Sequence, residues 1–86
     1  MGNDVIREKG FRMTTEFSIK LKQLRMQQDI SLRKLGEKAG VSYSIINSIE
    51  NGRFQPTRET VIALAKALRY ESVSDLLVLA GYKDEQ

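Results

Sequence analysis

The sequence predicts an all-α domain of five short helices joined by short connections. Three observations carry this. Apolar residues recur at helical spacing, as Phe17, Leu21 and Leu24 and again as Val61, Leu64, Ala65 and Leu68. Hydroxyl residues able to cap a helix start (Ser31, Ser42, Thr57 and Ser72) stand just before such runs, and Gly40, Gly52 and Gly81 stand just after three of them. No stretch alternates polar and apolar residues as a half-buried strand would, and there is no repeat or low-complexity tract.

The first helix is expected over 16–28, with Phe17, Leu21, Leu24 and Gln28 on one face and lysines between them. Asp29-Ile30-Ser31 breaks it. Ser31 then caps a second helix, Leu32–Ala39, with Leu35 and Ala39 inward and Gly40 closing it in the left-handed conformation. Val41 is an apolar turn residue. Ser42 caps a third helix running to Glu50 or Asn51, with Ile46 and Ile49 toward the core and Tyr43, Ser44, Asn47 and Ser48 facing away. Asn51-Gly52 ends it, and Arg53–Pro56 is a loop. Thr57 caps the fourth helix. Ser72, with Asp75 three residues on, resembles a capping box and opens a fifth helix, Val73–Ala80, ended by Gly81. Residues 1–15 hold Gly2 and Gly10 and no sustained apolar period, so they are expected to form a flexible arm before a domain at 16–82 and a polar tail at 83–86. Met13 offers an alternative start. The polar tail reads as the natural end of a small protein, with a cut ahead of a further domain as the alternative.

Composition narrows the function classes. At 86 residues, 41% hydrophobic and 29% charged, the chain is one globular domain near the lower limit of a self-sufficient core. It has no cysteine to form a disulfide or a thiolate metal site. Nor has it a histidine, the usual general base and zinc ligand. No enzymatic activity, metal or other cofactor is therefore expected. No window approaches the ~18 apolar residues of a membrane span. The N-terminus carries Asp4 and Glu8 where a secretory signal is apolar, and Ile6 stands where myristoylation requires Ser or Thr. A cytoplasmic location without membrane contact is expected.

The net charge is only +3, but it is unevenly placed. Residues 1–16 balance three basic against three acidic side chains. Residues 17–55 set Lys20, Lys22, Arg25, Arg33, Lys34, Lys38 and Arg53 against Asp29, Glu37 and Glu50, while residues 56–86 are slightly acidic. A basic middle suits a face that meets phosphates, although solvated helices are often locally basic too.

The second and third helices are joined by Gly40-Val41-Ser42, a link so short that the helices must cross, as in a helix-turn-helix. The outer face of the third helix presents Tyr43, Ser44, Asn47 and Ser48. A merely solvated helix more often carries Lys, Glu or Arg there, because these are better helix formers than Ser or Asn. Short hydrogen-bonding side chains suit close approach to base edges, Asn bridging adenine and Ser serving either partner. A polar surface of no further consequence is the alternative reading of the face alone.

The stretch from Ser31 to Arg53, with Ala39-Gly40-Val41-Ser42 and Ile49-Glu50-Asn51-Gly52 as its most specific parts, resembles the helix-turn-helix of Xre/Cro-type phage and bacterial repressors. Pro56-Thr57 and Leu64-Ala65-Lys66-Ala67-Leu68 continue the likeness, which covers about residues 16–82. The resemblance implies a five-helix lambda-repressor-like fold whose recognition helix, 42–51, enters the major groove of a double-stranded DNA operator. It implies base reading by Tyr43, Ser44 and Ser48, with Ile45 and Asn47 beside them. Backbone contacts would come from Ser31, Arg33, Ser42 and the amides near Asn51 and Gly52, with Arg53 beyond. It also implies a structural salt bridge between Arg25 and Glu50, which spacing alone would not reveal.

Three departures stand out. Leu32 replaces a Gln that many relatives use to touch phosphate. Tyr and Ser stand where relatives often read with Arg or Gln. Arg69 stands where a helix-ending glycine is common, at a cost of ~1 kcal/mol if that residue is left-handed.

A single short recognition helix reads few base pairs, so proteins of this fold hold two of them about one turn of DNA apart. The fifth helix carries more apolar side chains than one buried stripe needs. We therefore expect a twofold homodimer through Leu76, Val78, Leu79 and Tyr82 and a palindromic operator, the alternative being that all of these are core. The expected role is a sequence-specific transcriptional regulator, in the first place a repressor. An antitoxin that masks a toxin and autoregulates its promoter is the main alternative, and a cofactor that bridges other proteins is a third. A toxin or an antirepressor is the protein partner these readings admit.

Overall fold

Each of the five helices ends on a residue in the left-handed conformation, and that shared ending sets the short turns of the fold. The computed structural model describes residues 15–82. It contains α1 (Glu16–Gln27), α2 (Leu32–Ala39), α3 (Tyr43–Glu50), α4 (Arg58–Ala67) and α5 (Val73–Leu79), with no strand among the described residues. The expected arm and tail lie outside the described residues, apart from Thr15, which caps α1.

The left-handed residues are Asp29, Gly40, Gly52, Arg69 and Gly81, with φ of 57°, 72°, 75°, 57° and 97°. In each case the amide one residue further on turns back to a carbonyl of the last helical turn. Ile30 bonds Arg25, Val41 bonds Gly36, Arg53 bonds Ser48, Tyr70 bonds Ala65 and Tyr82 bonds Leu77, all at 2.8–3.1 Å. Three of the five positions are glycine, and Asp29 belongs to a type that tolerates this region. Arg69 has no such excuse.

Helix starts are set by hydroxyls. Thr15, Ser31, Ser42 and Thr57 accept from the amides of Ser18, Lys34, Ser44 and Thr60, each cap typically worth ~1 kcal/mol. Ser72 does not complete the set. Its backbone (φ −92°, ψ 69°) is not the extended cap conformation, its side chain makes no cap bond, and the expected capping box with Asp75 is absent. Instead the Ser72 carbonyl takes the amides of Asp75 and Leu76, at 3.0 and 3.3 Å.

The core joins Phe17, Leu21 and Leu24 of α1 to Leu35, Ile46, Ile49, Val61, Leu64 and Leu68, with Leu76, Leu77 and Ala80 closing it from α5. α2 packs on α3 and α4, α1 on α3 and α5, and α4 on α5. Gln28, expected inward with the apolar stripe of α1, is exposed at its end. Only its amide group turns in, donating to the Leu68 carbonyl at 2.7 Å and tying the ends of α1 and α4 together.

The face expected to pair two copies is mostly committed elsewhere. Leu76 is 1% exposed and has no surface left to give. Tyr82 is half-buried, and its hydroxyl donates to the Pro56 carbonyl at 2.7 Å. Gln55 donates to the Ala80 carbonyl at 2.8 Å, so two bonds fasten the α3–α4 loop to the end of α5. Leu79 is half-buried as well, and Val78, 53% exposed, is the one of the four that faces solvent.

Candidate nucleic-acid interface

The crossing of α2 and α3 depends on Gly36. A Cβ built there would sit 2.6 Å from the Val41 carbonyl oxygen and 3.3 Å from the Tyr43 amide nitrogen, both backbone atoms that cannot swing away. Glycine inside a helix costs roughly 1 kcal/mol against alanine, so its presence marks a close approach. That signal was present in the sequence and is the one by which Gly36 could have been found.

On α3, Ile46 and Ile49 are fully buried, and the opposite face is left free. Tyr43, Ser44, Ile45 and Asn47 are exposed and Ser48 is half-buried. The Ser42 and Ser44 hydroxyls share a hydrogen bond of 2.8 Å, and Asn51 donates to the Asn47 side-chain oxygen at 3.3 Å. Both contacts are exposed, so either side chain can exchange its partner for a base or a phosphate at little cost.

Two groups hold the far end of α3 to α1. Arg25 donates through Nε and Nη2 to the two Glu50 oxygens at 2.7 and 3.0 Å, and through Nη1 to the Ile30 carbonyl at 2.9 Å. The Glu50 hydrogen bond raises the Arg25 pKa further, against the opposing effect of burial, so the guanidinium stays charged. Ser18, buried on α1, donates to the Ile49 carbonyl at 2.7 Å. Sequence reasoning missed Ser18, although it falls beside Phe17 on the inward face of α1.

One implied feature changes. The amides of Asn51, Gly52 and Arg53 are not free to grip a DNA backbone, because they are already donated to the Asn47, Ile49 and Ser48 carbonyls at 3.0, 3.1 and 2.8 Å. What residues 51–53 can offer is side chains, and those of Asn51, Arg53 and, beyond them, Phe54 are exposed. At the opposite end, Ser31 spends an oxygen lone pair on its cap and keeps a hydroxyl hydrogen to donate, while the Ser42 hydroxyl caps α3 and is shared with that of Ser44. Arg33 leans over the Tyr43 ring, 5.1 Å from its centre.

Two helices crossing at a glycine, the second clamped at its end and bare on its outer face, define a helix-turn-helix domain. The helix-turn-helix family HTH_3 matches residues 21–76, and the chain belongs to it. Solved structures agree. The restriction-modification controller protein C.AhdI from Aeromonas hydrophila shares 25% identity over 73% of this chain and 94% of its own, with a TM-score of 0.68. The N-terminal DNA-binding domain of SinR from Bacillus subtilis shares 34% identity over 71% of this chain and 88% of its own, with a TM-score of 0.65. The clp gene regulator ClgR from Corynebacterium glutamicum shares 28% over 78% and 86%, with a TM-score of 0.66. Comparison with curated protein sequences gives no significant match. No helix among the described residues is long and apolar enough to cross a membrane.

Proposed function

We propose that this chain is the DNA-binding domain of a transcriptional regulator that lays α3 in the major groove of double-stranded DNA. The outer face of α3 carries the reading: short polar side chains, free of the core, on a helix held at both ends. Tyr43, Ser44 and Ser48 meet base edges, with Ile45 and Asn47 beside them. Ser31, Arg33, Ser42, Asn51 and Arg53 surround that face and meet phosphates. Two copies bind a palindrome in the repressor mode, paired through Val78 and Leu79 of α5, since eight residues of helix read too few base pairs alone.

Selection of duplexes from a random-sequence pool by the purified protein tests this. The expected result is an enriched, twofold-symmetric sequence bound more tightly than a scrambled duplex of equal length. Equal affinity for both would overturn sequence-specific regulation. A protein that occupies its selected site only with a second protein added would favour the antitoxin role instead.

A further inference from the structure

Arg33 is the second residue of α2 and Tyr43 the first of α3, so the contact between them spans the mouth of the helix-turn-helix. In this arrangement the start of the second of the two helices enters the groove, while the first crosses the DNA backbone. Both side chains are exposed, Tyr43 by 49%. A guanidinium lying over a ring uses its flat face and leaves its N–H edges open. The carboxylate one turn along α2, Glu37, is instead 3.9 Å from the Lys34 ammonium. Among the described residues no acid pairs with Arg33. A long side chain that would otherwise sweep through solvent is thus restrained by one contact, with the ring of Tyr43.

We propose that Tyr43 is a positioning residue for Arg33, its ring holding the guanidinium so that two N–H groups take a pair of acceptor atoms on the DNA. This rests on the DNA-binding reading above. DNA offers such a pair either as two oxygens of one phosphate or as O6 and N7 of a guanine at the groove edge. The ring of Tyr43 is what holds Arg33, and its hydroxyl takes no part in that contact.

The test is a double-mutant cycle on the duplex selected by the wild-type protein, using Arg33→Ala, Tyr43→Leu, Tyr43→Phe and the pair Arg33→Ala with Tyr43→Leu. Both positions lie on the surface, and unchanged melting confirms that the variants fold. Arg33→Ala and Tyr43→Leu are each expected to weaken binding roughly five- to tenfold, the double no more than the worse single, and Tyr43→Phe is expected to keep the Arg33 contact and so to bind more tightly than Tyr43→Leu. Losses that multiply in the double, or a Tyr43→Phe as weak as Tyr43→Leu, would overturn the inference. The source of the acceptors follows from the same proteins. A salt slope lowered by about one in Tyr43→Leu identifies a phosphate. An unchanged slope, with the loss vanishing on duplexes carrying 7-deazaguanine, identifies a guanine. A wild-type protein that binds no duplex would overturn the DNA reading itself, a result distinct from additive losses in a protein that does bind.

Discussion

The Arg25 guanidinium meets the Glu50 carboxylate edge to edge, through two hydrogen bonds of 2.7 and 3.0 Å across 25 residues of chain. Their side chains are 14% and 4% exposed, so solvent screens the pair weakly. The third donor of Arg25 closes on the Ile30 carbonyl, so one side chain binds α1, the turn that follows it and the end of α3. The position of the outer face of α3 relative to the rest of the domain depends on this clamp.

Removing either partner leaves the other charge stranded. Glu50→Ala and Arg25→Ala are each expected to lower unfolding free energy by ~3 kcal/mol or more, and Arg25→Met with Glu50→Leu to cost less than either. Urea denaturation of the four proteins checks this. A double variant as unstable as the worse single would show that the pair itself, and not the stranded charge, is what matters.

Gly36 is expected to refuse even a methyl group. Alanine would gain ~1 kcal/mol of helix propensity, but its Cβ would press on the Val41 carbonyl from 2.6 Å. The crossing must then open, so Gly36→Ala should be destabilised by ~1–3 kcal/mol, and Gly36→Val by more. Thermal melts give the sign, and weaker binding to the selected duplex should accompany it.

Arg69 runs the other way. It holds a φ of 57° at the end of α4 with a Cβ that this region disfavours. Arg69→Gly should raise stability by ~1 kcal/mol, and Asp29→Gly by less, because a short polar side chain tolerates the conformation better. Melting temperatures of both variants decide it, and a fall in the first would mean that the Arg69 side chain makes a stabilising contact.

Contacts to bases and to phosphates should separate by salt and by sequence. Ser48→Ala is expected to lose ~1–3 kcal/mol on the selected duplex and almost nothing on a scrambled one. Arg53→Ala should weaken both alike and reduce the log–log salt slope by about one. Anisotropy titrations at several salt concentrations measure both, and an unchanged slope would remove Arg53 from the phosphate contacts.

Val78 and Leu76 should behave differently although they stand two residues apart. Val78→Glu places its charge on an exposed site, so the variant should fold and sediment as a monomer with weaker duplex binding. Leu76→Glu places the charge in the core and should fail to fold cooperatively. Equal sedimentation of wild type and Val78→Glu, free and on DNA, would rule out pairing through this face.

The sequence alone determined the five helices, with boundaries met to within a residue or so. The physical reason is range: caps such as Ser31 to Lys34, apolar spacing such as Leu64, Ala65 and Leu68, and closing glycines all act within one or two turns of chain. It also showed that α3 has a polar face unlike an ordinary solvated one. The tertiary structure decided which groups remain free once the helices pack. It placed Leu76 in the core, tied Tyr82 to Pro56 and Ser18 to Ile49, and brought Arg33 over Tyr43. It also spent the amides of residues 51–53 on closing α3. Those outcomes depend on atoms that are distant in the chain or share a single donor, and residue spacing carries no record of either.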